Sequence, residues 1–239
     1  MPQPLPLYVA AHQPERRNRL TAAIRLIMVI PQVIVLLFVG IAALIVAIIG
    51  WFAALVTGHL PAFAEDFLSG VIRWGTRVRG YLHFLTDEYP PFSLDLEVNY
   101  PVQIAIPPPS DLNRLAVLFR IIIAIPAFIV ASVVSSGIAL FSIGSWAMIV
   151  FTGAMPDPLY EATTAAVRFE ARYYGYFFML AAEYPWGLYG DNNQTQPAPT
   201  ATDAPASSGW LLRLTPKGRT ALTVLLVLGV VDAAISRAR

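Results

Sequence analysis

Shifted by 95 positions, the sequence lies on itself without a gap. Asn18, Arg19 and Leu20 fall on Asn113, Arg114 and Leu115. Arg25 falls on Arg120, Pro31 on Pro126 and Trp51 on Trp146. Thr57-Gly58 falls on Thr152-Gly153, Arg73 and Arg77 on Arg168 and Arg172, Gly80-Tyr81 on Gly175-Tyr176, and Glu88-Tyr89-Pro90 on Glu183-Tyr184-Pro185. Self-similarity at a fixed period is the signature of a repeated structural unit. Rare residues such as Trp, Pro and Arg do not recur in register by chance. Whatever this chain folds into must therefore be built from two like halves.

The content of each half narrows the choice further. An uncharged run extends from Leu26 to Val56, directly after Arg25, and its counterpart extends from Ile121 to Phe151, directly after Arg120. About 20 apolar residues cross the roughly 30 Å hydrocarbon core of a bilayer as a helix, so each run is long enough to span. A third run, Thr220 to Ile235, is bracketed by Lys217 and Arg219 before it and Arg237 and Arg239 after it. It crosses only if these flanking side chains snorkel. Composition agrees: 56% of residues are hydrophobic, 13% are charged and the mean hydropathy is +0.60, where a soluble domain carries about 25% charged residues. The N-terminal stretch lacks the basic segment, short apolar core and small-residue cleavage site of a signal peptide, so the first run is expected to remain as a membrane anchor. The absence of cysteine excludes disulfides, thiolate nucleophiles and Cys-ligated metal. A net charge of +1 gives no field favouring nucleic acid.

The expected architecture is an all-α integral membrane protein: two tandem membrane-helical units, at 5–95 and 100–189, a flexible linker at 190–209 and a C-terminal membrane anchor at 210–239. Each unit begins with a short extended stretch, Leu5 to Ala10 or Tyr100 to Ile106. An Asn-Arg-Leu motif, the apolar run and a Thr-Gly break follow. An amphipathic helix comes next, Glu65 to Leu85 or Tyr160 to Ala181, and Glu-Tyr-Pro ends it because proline disfavours helical geometry in the residue before it. The linker, rich in Pro, Ala, Ser and Thr, has too little apolar surface to fold, which makes the last helix a tethered anchor.

The distribution of basic residues favours two passes per run. If each run is a helical hairpin, with its tip near Gly40 or near Ser135-Ser136-Gly137, all basic clusters lie on one side of the membrane, as the positive-inside rule requires. The expected location is then the cell membrane, multi-pass, with the N-terminus cytoplasmic. A single pass kinked at Pro31 and Pro126 is the rival, and a spanning amphipathic helix also suits the charges.

The amphipathic helix carries the candidate site. At 100° per residue from Asp66, Arg73 falls at about −20° and Arg77 at about +20°, and the second unit keeps the stripe as Glu161, Arg168, Arg172 and Glu183. The plainest reading is an interfacial helix with its aromatic face in the lipid boundary and its charges in water. A second has the stripe pair with the other unit, and a third has the arginines hold a lipid head group, since guanidinium suits phosphate. Arg25 and Arg120, at the mouths of the runs, read as snorkelling anchors or as lipid-phosphate contacts. Trp51 and Trp146 read as interface-belt aromatics. Asp232, inside the last run, is close enough to Arg237 to pair. His12, His59 and His83 have no counterparts under the shift and no ligand spacing. No metal site, cofactor motif or catalytic motif is legible.

The repeated motifs resemble a known family. The series NRL, R, IP, W, TG, P, R, R, GY and EYPPFSL, preceded by a YPVQIAIP-type strand, is similar to the bacterial membrane domain called domain of unknown function 4389. The resemblance covers nearly all of residues 5–190, and WFAALVTG and YLHFLTDEYPPFSL are its specific part. The second unit departs from it with YFFMLAAEYPWGL. The resemblance implies a bacterial inner-membrane location and duplication, with no activity attached. The expected role is a structural or accessory subunit of a membrane complex, its partners the lipid bilayer and a membrane protein or a second copy. A small transporter or lipid-handling protein is the alternative, and a membrane enzyme acting on lipid head groups is the third reading.

Overall fold

The computed structural model describes residues 8–11, 17–107, 110–189 and 212–237. The proposed linker and Arg16, His12 and Arg239 lie outside these. Strand β1 is Tyr8–Ala11, α1 Arg19–Met28, α2 Ile30–Thr57, α3 Ala62–Leu82, β2 Val102–Ala105, α4 Arg114–Leu118, α5 Arg120–Thr152, α6 Asp157–Phe177 and α7 Pro216–Arg237. The repeated motifs are the punctuation of these helices. Asn18 and Asn113 are N-caps whose side chains accept from the backbone N–H groups of Leu20 and Thr21, and of Leu115 and Ala116, satisfying donors that a helix start leaves open. Gly58 and Gly153 end the long helices in the left-handed region, at φ 86° and 77°, where glycine has no Cβ penalty. The preceding Thr57 and Thr152 hydroxyls donate back to the carbonyls of Ala53 and Met148.

The helical hairpins are not formed. Helix α2 runs unbroken past Gly40, and α5 runs unbroken past Ser135, Ser136 and Gly137. A helix satisfies its backbone polar groups internally, so an apolar segment has no reason to turn where no polar group demands it. The first run breaks by one residue only, at Val29 between α1 and α2, and α5 continues through Pro126. Gly137 serves a different purpose, described below. Three helical segments, 19–57, 120–152 and 216–237, are long and apolar enough to cross a membrane, which fits a membrane protein.

The two units are joined by a reciprocal set of bonds. Arg17 N–H donates to the Gly153 carbonyl at 3.2 Å, and Leu112 N–H donates to the Gly58 carbonyl at 2.8 Å; these two bonds are the same bond under the 95-residue shift. In the β1–β2 pair, antiparallel, Val9 lies opposite its own equivalent, Ile104. An approximate two-fold axis therefore passes through that pair. The first long helix starts where α5 ends and ends where α4 starts, so the long helices run antiparallel and the axis is perpendicular to them.

The molecule is layered along this axis. Helix α3 returns alongside α2, with Ala64 near Gly50 and the Trp74 indole N–H bonded to Gln32 Oε1 at 2.8 Å. On its opposite side, Gly70 lies under Leu94 and Gly80 under Val102, so closely that a Cβ at either would meet them within 3 Å. Helix α6 likewise lies alongside α5 and packs on β1 as α3 packs on β2. Exposed large apolar residues lie mostly on α1, α2, α4, α5 and α7, for example Leu37, Phe38, Ile45, Phe52, Ile122, Phe128 and Val230. The loop layer after α3, residues 83–101, exposes Asp95 and Asn99 together with Phe92, Leu96 and Val98.

Helix α7 packs into the body and is no tethered appendage. It runs antiparallel along α5, with Leu222 and Leu225 fully buried. A Cβ on Gly137 would collide with the Leu225 carbonyl, and one on Gly229 with the Val133 carbonyl. Such close backbone approach is what small residues permit between helices in lipid. At its start, Thr215 N–H donates to Glu161 Oε2 at 2.8 Å.

Candidate functional site

Helices α3 and α6 are not interfacial in the sense their pattern suggested. The apolar face of α3 lies on α2, and its charged face lies under the loop layer of the same unit. Arg77 is 2% exposed, Arg168 3% and Arg172 9%; Arg73 is half-buried on the same face. The Arg77 guanidinium donates to the Ser93 carbonyl at 2.5 Å and lies 4.0 Å from Glu97. Arg172 donates to the Trp186 carbonyl at 3.2 Å. These two arginines thus hold down the segment after Glu-Tyr-Pro in their own unit, where carbonyls left without a ladder partner would otherwise be buried unsatisfied.

Arg25 and Arg120 do not snorkel. Arg25 is 0% and Arg120 5% exposed. Each sits against the end of the short helix of its own unit. Arg25 Nη1 donates to the Tyr81 carbonyl at 2.7 Å and the Thr86 carbonyl at 2.9 Å; Arg120 donates through Nε to Tyr176 and through Nη2 to Ala181, the equivalent carbonyls, at 2.7 and 2.5 Å. Their guanidinium groups stack on Tyr81 and Tyr176, at 4.5 and 4.1 Å from the ring centroids. The short helices end earlier than Glu-Tyr-Pro, at Leu82 and Phe177. Two residues on, Phe84 and Met179 both adopt φ 64°. Bulky residues rarely take this left-handed geometry. Here the side chain is needed for burial beside the arginine, and the cation satisfies the helix-end carbonyls.

The two arginine sites differ in charge. Asp87 accepts from Arg25 Nη2 at 2.5 Å and lies 3.4 Å from Arg17, forming a three-member network. The equivalents of Arg17 and Asp87 are Leu112 and Ala182, and Arg120 has no ion pair among the described residues. It lines a groove of about 390 Å³ formed by Leu44, Ala47, Ile48, Trp51, Phe52, Ile121, Phe177 and Met179.

Some contacts between units come from residues that the repeat comparison did not single out. Arg79 of α3 lies 3.4 Å from Glu170 of α6 and stacks on Tyr174, while Ser135 of α5 donates to the same carboxylate. His83 bonds Ser142 of α5 at 2.8 Å. The stripe's described partners, Ser93 and Glu97 for Arg77 and Trp186 for Arg172, lie in the same unit as each arginine. Trp51 Nε1 donates to the Val117 carbonyl at 2.8 Å, which makes it a joint between units. Asp232 and Arg237 form no ion pair among the described residues, five positions being too far apart on one helix face. His59 pairs at the surface with Asp111. No group of three or more acidic, histidine or cysteine side chains suited to a metal ion occurs among the described residues.

A family profile, Domain of unknown function (DUF4389), matches residues 19–93 and again 114–188. The chain belongs to this family. The matched segments are the two structural units without their strands, and together they take in more than half the chain. No curated protein and no solved structure matches it. In DUF4389 terms, the motif residues are helix caps, backbone staples and unit joints: Asn18, Gly58, Arg25, Arg77 and their equivalents.

Proposed function

We propose that this DUF4389 protein is a non-catalytic structural or accessory subunit of a membrane complex, inserted in the cell membrane through its three long helices with the N-terminus cytoplasmic. One observation carries the reading. Asp95, Glu97 and Asn99 lie beside α3 between the levels of Gly70 and Gly80, and α3 lies beside the middle of α2. If α2 crosses the bilayer, this irregular layer, whose exposed Asp95 and Asn99 stand among exposed Phe92, Leu96 and Val98, lies at mid-depth. Lipid cannot solvate carboxylates or open backbone there, so protein must cover it, either a partner subunit or a second copy. The charges support the orientation. Arg17, Arg19, Arg213, Lys217 and Arg219 gather at the end where α1 and α7 begin, against Arg114 and Arg237 at the other, and basic residues favour the cytoplasmic side.

The chain lacks cysteine, so one can be introduced cleanly. Asn99→Cys should resist an impermeant thiol reagent in intact cells and in inverted vesicles, and should cross-link to a partner in the membrane. Rapid labelling from one side without cross-linking would mean that the long helices lie in the membrane plane with the loop layer in water, and would remove the case for a partner. The alternative, a small transporter or lipid-handling protein, has one observation in its favour: antiparallel units related by an axis in the membrane plane are a transporter arrangement.

A further inference from the structure

We infer that the groove at Arg120 binds one anionic phospholipid, its phosphate on the guanidinium and an acyl chain along Leu44, Ile48 and Phe52. The argument begins from the charge count. Arg120 is 5% exposed, and a buried cation is normally paired, because removing a charge from water without a counter-charge costs several kcal/mol. In the first unit Asp87 supplies that counter-charge to Arg25; in the second, Ala182 stands in its place. Two carbonyls engage Nε and Nη2, but they are neutral. Nη1 has no hydrogen bond among the described residues and is not among the fully sealed polar atoms, which leaves an open donor on a residue that lines the groove.

The groove selects the class of ligand. Its other lining residues are apolar, none is acidic, and its volume of about 390 Å³ is in the range of small-molecule sites. Apolar walls with one guanidinium call for an anion joined to a hydrocarbon chain. Arg120 begins α5 and Trp51 lies near the end of α2, which is the level of the head groups if these helices cross. A phosphate is the anion found there, and arginine between membrane helices is suited to it. A free fatty acid offers the same pairing of anion and chain and is the competing occupant.

The test uses the full-length protein purified in mild detergent and analysed by native mass spectrometry with phosphatidylglycerol, phosphatidylcholine or oleate added. One phosphatidylglycerol should bind, about ten-fold more tightly than phosphatidylcholine, because the choline ammonium offsets the phosphate charge that the unpaired guanidinium requires. Ala182→Asp should abolish that preference by supplying the missing carboxylate while leaving Arg120 in place. Ile48→Trp should block binding by filling the groove without changing the charge. Both positions are exposed, and an unchanged elution volume would show that the variants are folded. Equal binding of phosphatidylglycerol and phosphatidylcholine, preferential binding of oleate, or undiminished phosphatidylglycerol binding by Ala182→Asp would each overturn the assignment. None of these outcomes bears on whether a partner covers the loop layer.

Discussion

The two units share a backbone plan but not an electrostatic one. In the first, Arg17, Asp87 and Arg25 form a buried network and Gln32 links Trp74 to the Pro90 carbonyl. In the second, the positions of Arg17, Asp87, Gln32 and Trp74 are held by Leu112, Ala182, Ala127 and Phe169. What both units keep is the contact between a cation and the helix-end carbonyls. This retained element is the structural requirement of the unit: a helix ending in a left-handed Phe84 or Met179 leaves carbonyls buried, and a guanidinium reaches two of them at once. The acid is a local supplement that one unit has and the other lacks. The second unit gains α7 instead, packed against α5 and α6, while the equivalent face of the first is left to its own loop, where Leu94 packs on Gly70.

This comparison predicts unequal responses to the same substitution. Arg25→Gln removes the partner of a half-buried carboxylate and two carbonyl contacts, and should cost about 3–5 kcal/mol. Arg120→Gln also loses two carbonyl contacts but relieves an unpaired buried cation, and should cost about 1–2 kcal/mol. Thermal unfolding of the two variants in detergent measures the difference. Equal losses would show that Asp87 contributes nothing to the first site.

The docking of α7 comes next in size. Gly229→Leu places a side chain against the Val133 carbonyl and should cost about 1–3 kcal/mol, as overpacking does. Deletion of residues 212–239 should expose Gly137 and lower the melting temperature of the remaining body. A truncated protein that melts like the full chain would restore the tethered-anchor reading.

Much of the unit was legible in the sequence because its motifs are local. Asn-Arg-Leu, Thr-Gly and the long apolar runs act within one helix and announce caps and lengths. The fate of the arginines was not legible, because it depends on where the Glu-Tyr-Pro segment folds back. Helical periodicity places Arg77 on a polar face; it cannot say that the face is covered by Ser93 and Glu97 of the same unit. The hairpin expectation failed for a related reason. A small residue in an apolar run marks either a turn or a close helix neighbour, and at Gly137 the neighbour, α7, lies nearly 90 positions away along the chain. The antiparallel relation of the units leaves no trace in either copy. It resides in bonds between them, such as Arg17 to Gly153 and Leu112 to Gly58. Asp87 and Ala182 were visible as a mismatch under the shift, and that mismatch is the one sequence signal that could have pointed to the Arg120 groove.

The smallest expected effect lies at another mismatch. Glu88 is exposed, whereas its equivalent Glu183 is half-buried, with Oε2 sealed from water and without a hydrogen bond. Burial pushes the Glu183 carboxyl above its ordinary value of 4.5, and the nearby Arg172 opposes that shift. The sign follows from linkage. A carboxyl that holds its proton more tightly in the folded state stabilises the fold least when ionised, so stability falls as pH rises from the unfolded value through the raised folded one. Glu183→Gln removes this dependence. Below pH 4 the variant and the parent should melt together. At pH 7–8 the variant should be more stable by a few tenths of a kcal/mol, the amount left after solvent screening of a half-exposed group. Glu88→Gln is the exposed reference and should leave the melting temperature unchanged. A loss of stability in Glu183→Gln at pH 7 would mean that attraction to Arg172 outweighs the burial of the carboxylate. Glu183 would then count as a working partner of the stripe, and the second unit would be less short of acid than its sequence suggests.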